Sequence, residues 1–386
     1  MDFSLTEEQL ALQAAARDFA QHELAPFAAQ WDESGEFPRA ALAKAAELGF
    51  CGLYTPQELG GLGLKRLDAT VIFEELAAGC TSTAAYPTIH NMATWMVANW
   101  GQAAVLTRWA PLLATGQALG SYCLTEPGAG SDAASLRTRA ERIGDRYVLS
   151  GSKAFISGAG ETDLLVVMAR TGDSGAKGIS AFAVPASSAG VQFGKLEHKM
   201  GWNCSPTRGI TFDKVEVPAD HRLGAEGEGF KIAMQGLNGG RINIATCSIG
   251  TAQAALQRAQ EYLNSRKQFG QALGQFQALQ FQLADMLTEL VAARQMVRLA
   301  AWKLDIRSPD ATTYCAMAKR YATDIGFQVA NTALQLHGGY GYTREYPLER
   351  HVRDSRVHQI LEGTNEIMRV IIARAALREG ATEELR

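Results

Sequence analysis

The 386-residue sequence has six cysteines and none of them in a paired spacing; Cys51, Cys80, Cys123, Cys204, Cys247 and Cys315 are too scattered for a zinc site or a disulfide framework. Free thiols and no bound metal are the expectation. Charge of one sign is also missing. The net charge of -3 lacks the Lys and Arg excess of a nucleic-acid or anionic-membrane binder, so no nucleic-acid partner is expected. No apolar run is long enough for a membrane helix. Met1 to Leu10 carries Asp2, Glu7 and Glu8 and lacks the layout of a signal or transit peptide. This suggests a cytoplasmic protein, or a mitochondrial matrix one in processed form. Walker and HExxH signatures are absent.

With 47% hydrophobic and 20% charged residues, the chain has the composition of a globular protein, and its length exceeds one ordinary core. Its texture changes twice. Up to about Gly120, stretches such as Glu7 to Phe27, Arg39 to Leu48, Ala69 to Ala78 and Gln102 to Leu113 suit helices, with Gly- and Pro-rich loops between them. Short apolar runs then follow at Arg146 to Leu149, Leu164 to Ala169, Ile179 to Val184 and Gly209 to Val217, with a hairpin turn at Gly144-Asp145. Long helical patterns return at Ile242 to Arg266, Phe276 to Lys303, Thr312 to Leu336 and Asn365 to Leu377. Segregated strands favour an α+β fold in three parts: a helical domain (1–120), a central β-domain (121–228) and a C-terminal helical bundle (229–386).

Gly128-Ala129-Gly130-Ser131-Asp132-Ala133 matches a loose dinucleotide pattern, but no crossover helix follows it, so a Rossmann reading fails. Another local feature is Glu362, which follows a helical pattern ending near Ile360. Gly363 can take the positive φ that breaks a helix, and Thr364 or Asn365 can cap the next one. On local sequence alone the favoured reading is a solvated glutamate in a helix–helix turn.

The longer stretch Tyr122-Cys123-Leu124-Thr125-Glu126-Pro127-Gly128-Ala129-Gly130-Ser131-Asp132 resembles the flavin-contacting signature of acyl-CoA dehydrogenases. So do Gly151 to Gly158, Arg266 to Gly270, Gln335 to Gly341 and Arg353 to Glu366, in the family's order and across essentially the whole chain. Gly79 to Met92, Gly236 to Ala245 and Asp354 to Met368 resemble the branch that dehydrogenates isobutyryl-CoA in valine breakdown.

The resemblance implies FAD as cofactor, an acyl-CoA substrate, electron-transfer flavoprotein as acceptor, and a homotetramer. It implies that Glu362 removes the α-proton while hydride leaves the β-carbon for the flavin. Tyr122 to Ser131 with Phe155, Ile156 and Ser157 would line the flavin, and Thr364, Asn365 and Glu366 would meet an anionic part of the cofactor at the next helix start. Ser131, Asn238, Gly239, Gly240, Arg241 and Arg374 would contact substrate. Arg266, Phe276, Gln277 and Gln335, Leu336, His337, Gly338 and Gly339 would reach the FAD of a neighbouring subunit. Phe155 and Ser157 stand where many relatives have Trp and Thr. Some relatives place the base immediately before the arginine that Arg241 matches; Gly240 cannot act as one, which leaves Glu362 alone. Two rival readings are a nucleic-acid-binding flavoprotein of the same fold, which the charge disfavours, and an acyl-CoA oxidase, whose relatives are commonly longer.

Overall fold

The computed structural model describes residues 4–378 and 380–385. Six helices come first: α1 (Glu7–Phe19), α2 (Ala28–Ser34), α3 (Arg39–Glu47), α4 (Arg66–Gly79), α5 (Thr81–Trp100) and α6 (Ala103–Ala114). Helix α1 opens on a capping box, in which Thr6 and Gln9 satisfy each other's backbone N–H groups. The periodic stretch from Glu7 does not stay α-helical to Phe27, because a π-helical turn occupies Ala20–Leu24. Helix α5 is the element the sequence pattern does not announce. Thr81, Thr83 and Thr88 are poor helix formers and Pro87 lies inside it, yet most of it is buried, and tertiary packing outweighs propensity.

Eight strands follow: β1 (Gly120–Cys123), β2 (Arg139–Ile143), β3 (Arg146–Ser157), β4 (Leu164–Arg170), β5 (Ile179–Pro185), β6 (Val191–Leu196), β7 (Thr207–Pro218) and β8 (Arg222–Leu223). They form one sheet ordered β6-β7-β3-β2-β4-β5-β8, with β1 added alongside β4. Most neighbours are antiparallel; β1 and a single β2 residue pair with β4 in parallel. The β2–β3 hairpin turns at Gly144-Asp145, with Ile143 paired to Arg146.

The C-terminal part contains α7 (Gly229–Ser265), a small ribbon of β9 (Lys267–Gln268) and β10 (Gln271–Ala272), then α8 (Gln277–Asp305), α9 (Ala311–Leu336), α10 (Leu348–Arg356), α11 (Asn365–Ala376) and the short α12 (Ala381–Glu384). Helix α7 begins well before Ile242 and includes the glycine run from Gly236 to Gly240. Helices α7, α8 and α9 share one apolar core built around Ala245, Ile249, Leu290, Val297, Ala322 and Ala330. The fold is therefore α+β, with helices before and after a sheet. Among the described residues no helix is long and apolar enough to cross a membrane.

Candidate active site

Glu362 sits at the corner between α10 and α11. A 3-10 turn (Val357–Gln359) ends the first helix, and Glu362 and Gly363 then both take positive φ, 58° and 87°. Glycine accepts this freely. A non-glycine residue there stores strain of about 1–3 kcal/mol, which the surroundings must offset. The Thr364 hydroxyl then accepts the Ile367 N–H at 3.3 Å and starts α11.

Two buried cations hold the corner. Lys319, in the middle of α9, donates from Nζ to the Gly363 carbonyl at 2.8 Å and to Asn365 Oδ1 at 2.9 Å. Arg241 of α7 donates from Nε to the Glu362 carbonyl at 3.3 Å and from Nη1 to Asn238 Oδ1 at 2.9 Å. Asn238 is fixed in turn by Thr312, at 2.9 Å. The carboxylate itself packs onto Gly240, where any Cβ would overlap Oε2. Gly240 therefore does more than leave a second base position empty, since its missing side chain is the space that Glu362 fills.

Glu362 as a residue is half-buried, but Oε2 is sealed from solvent and has no hydrogen-bond partner. Desolvation pushes its carboxyl up to about 7, opposed by the nearby charges of Arg241 and Lys319. Burial also pulls Lys319 down to about 8 and lowers Arg241. A carboxyl that gains and loses its proton near neutrality, at a cavity wall, is suited to general-base work.

The cavity beside it has a volume of about 470 Å³. Tyr122, Leu124, Thr125, Gly130, Ser131, Phe155, Ile156 and Ser157 line it together with Arg241, Glu362 and, from α11, Arg374. Phe155 is placed there by a β-bulge: between the Lys153–Ile210 and Ile156–Arg208 pairs, Ala154 and Phe155 face the single residue Gly209. Its φ is 57° and the residue is 68% exposed, a strained and open setting for phenylalanine. The bulge is tied to the Thr125 loop, because Ala154 N–H donates to the Thr125 carbonyl at 2.9 Å.

A buried ion pair secures that loop. Lys153 Nζ reaches Glu126 Oε1 at 2.8 Å and the Leu124 carbonyl at 3.0 Å, while Glu126 accepts the N–H groups of Arg137 and Thr138. Glu126 is thus spent on the loop's own frame. Cys123 points into the core on the opposite face of β1, following strand alternation. Asn365 likewise turns into the bundle, onto Lys319, Thr323 and Asp324. Pro127, Gly128, Ala129, Asn238, Gly239 and Glu366 do not line this cavity.

A second cavity, about 590 Å³, collects Arg266, Gln335, Leu336, His337, Gly338 and Gly339 at the end of α9. Phe276 and Gln277 lie outside its wall. His337 stacks on Tyr262 at 4.3 Å and shares Nδ1 with the Ala333 carbonyl at 2.8 Å, a packed and hydrogen-bonded setting away from Glu362. A third cavity, about 880 Å³, lies between the N-terminal helices and the bundle and contains none of these residues.

Three family models cover nearly the whole chain: acyl-CoA dehydrogenase N-terminal domain (6–117), middle domain (121–215) and C-terminal domain (227–377). The chain belongs to the acyl-CoA dehydrogenase family. It is similar to the mitochondrial isobutyryl-CoA dehydrogenase of Bos taurus, 54% identical over 97% of this chain and 90% of that one. The corresponding Dictyostelium discoideum protein is 50% identical over 96% and 89%. Among solved structures, butyryl-CoA dehydrogenase from Megasphaera elsdenii matches with a TM-score of 0.95 at 39% identity, covering 98% of this chain and 100% of that one.

Like its family, this acyl-CoA dehydrogenase uses FAD. The cavity fits that group: Phe155 offers an apolar plate, Thr125, Ser131 and Ser157 offer hydroxyls, and the Tyr122 hydroxyl is buried without a partner. Side chains at Gly128 and Gly130 would meet nothing within 4 Å, so the backbone there is open to close approach. Sequence reasoning missed Lys319 and Trp202. A lysine directly after the apolar run Cys315–Ala318 was the available signal for the first; a tryptophan between Gly201 and Asn203 carries none.

Proposed function

We propose that the protein dehydrogenates a short branched acyl-CoA, isobutyryl-CoA first, at the α,β-bond, with Glu362 as base. The observation that carries this is the Glu362 carboxylate: its Oε2 unpartnered, raised to about 7, and lining the same cavity as Phe155 and Thr125. The relatives at 54% and 50% identity support the acyl group.

A thioester α-proton is too weakly acidic for an exposed carboxylate to remove at neutral pH. Desolvation strengthens Glu362 as a base, and its corner, clamped through both carbonyls, keeps the carboxylate from swinging away. FAD, when bound, would supply the hydride acceptor, and Thr125, Ser131, Phe155 and Ser157 are the residues that would hold it beside Glu362. Arg241 and Lys319 keep their positive charge beside the carboxylate and hold its proton affinity near neutrality instead of higher. The apolar wall excludes water from the proton transfer.

The second cavity is the proposed seat for the cofactor of a neighbouring copy in a homotetramer. Helix α8 supports this with an exposed row of Leu287, Val291, Leu299 and Trp302, continued by Ile306 at its C-cap, apolar surface that an isolated chain would leave wet. Electron-transfer flavoprotein is the proposed acceptor. Anaerobic addition of isobutyryl-CoA should bleach the flavin of the purified protein. Rapid bleaching by straight-chain thioesters alone would refute the branched-chain assignment.

A further inference from the structure

Part of the lining of the cavity beside Glu362 is formed by Ile89, Trp202, Ile244 and Leu361, which pack with Ala85 into one apolar cluster. Trp202 is the largest of these side chains and is brought in by the segment between β6 and β7. Such a segment would ordinarily be free to yield.

Here it is not free. The Trp202 N–H donates to Asp354 Oδ1 of α10 at 2.6 Å, and Asp354 is itself buried. Preceding it, Gly201 lies so close to the Arg353 carbonyl that no side chain fits. The Trp202 backbone is held at φ 54°, an unfavourable setting for a bulky residue that persists only when neighbours enforce it. Its indole is 4% exposed and meets the His358 ring edge-on at 5.5 Å, and His358 is locked to Ser248 through Nδ1 at 2.6 Å. Asp354, His358 and Glu362 all belong to the stretch running from α10 into the catalytic corner. The loop that carries Trp202 is therefore anchored on the same stretch that carries the base.

We propose that Trp202 is the residue that limits acyl-chain length, its clamped indole serving as the floor against which a short acyl group ends. This rests on the reading of the cavity as the acyl site. An isobutyryl group is broad at the α-carbon but short, so a fixed floor close to Glu362 admits it and meets the extra methylenes of longer straight chains head-on. A close-packed wall yields little, and each unaccommodated methylene should reduce kcat/KM by roughly 10–200-fold.

The test compares kcat/KM for isobutyryl-, butyryl-, hexanoyl- and octanoyl-CoA in FAD-loaded wild-type, Trp202→Phe and Trp202→Leu proteins. The hexanoyl-to-isobutyryl ratio should rise by at least about 10-fold in Trp202→Leu, mainly through a lower KM for hexanoyl-CoA, with Trp202→Phe intermediate. Trp202→Phe keeps an aromatic ring on the same anchors and decides the matter if the leucine variant fails to fold or to retain flavin. An unchanged ratio in a flavin-loaded variant overturns the assignment of Trp202. Failure of every acyl-CoA to reduce the wild-type flavin would instead overturn the reading of the cavity.

Discussion

Gly240→Ala adds one methyl group, and the structure predicts where it goes. The new Cβ would overlap Glu362 Oε2, so the carboxylate must retreat by about 1 Å to recover ordinary contact. It has little room to do so, because Arg241 holds the Glu362 carbonyl and Lys319 holds that of Gly363. A misplacement of that size costs about 100-fold in rate, or about 2.7 kcal/mol of barrier. Stability should move the other way: within α7, alanine is favoured over glycine by about 0.5–1 kcal/mol, which offsets part of the strain. The assay is anaerobic stopped-flow reduction of the flavin by isobutyryl-CoA, run beside thermal unfolding. A slow but stable, flavin-loaded variant is the expected result. Wild-type reduction rates in Gly240→Ala would refute the contact between residue 240 and the working position of the carboxylate.

Three further outcomes follow from the same geometry. Because the proton-free form of Glu362 is the active one and its carboxyl is raised to about 7, kcat/KM should fall as pH drops through that value and level off above it. Lys319→Met removes a positive charge that lowers the carboxyl's proton affinity, so the midpoint of that profile should move to higher pH; an unmoved midpoint would reduce Lys319 to packing. Lys153→Met leaves Glu126 buried without its cation, a loss of about 3–5 kcal/mol, and should be read as a lower unfolding temperature together with reduced flavin content.

How far the sequence could be read depended on whether the cause was local. The Glu362 corner was legible because Gly363 and Thr364 carry their own signals for a left-handed turn and a helix cap. The hairpin at Gly144-Asp145 was legible for the same reason. Helix α5 was not, since its burial comes from α4, α6, α7 and the sheet, not from its own propensities. Asn365 shows the limit most clearly. Its place at the start of a helix was legible, but nothing local announces that its amide completes a network with Lys319, Thr323 and Asp324 inside the bundle. Lys319 lies 43 residues from Glu362 in the chain and Trp202 lies 160 residues away. Only the packing of α9 and of the β6–β7 loop brings them to the site.

The most direct measurement is flavin reduction in Glu362→Gln, which keeps the shape of the side chain and removes the base. The variant should stay folded, hold FAD and bind isobutyryl-CoA, seen as a shift of the flavin spectrum, without bleaching on the wild-type timescale. Rapid bleaching in Glu362→Gln would contradict the assignment of Glu362 as the group that takes the α-proton.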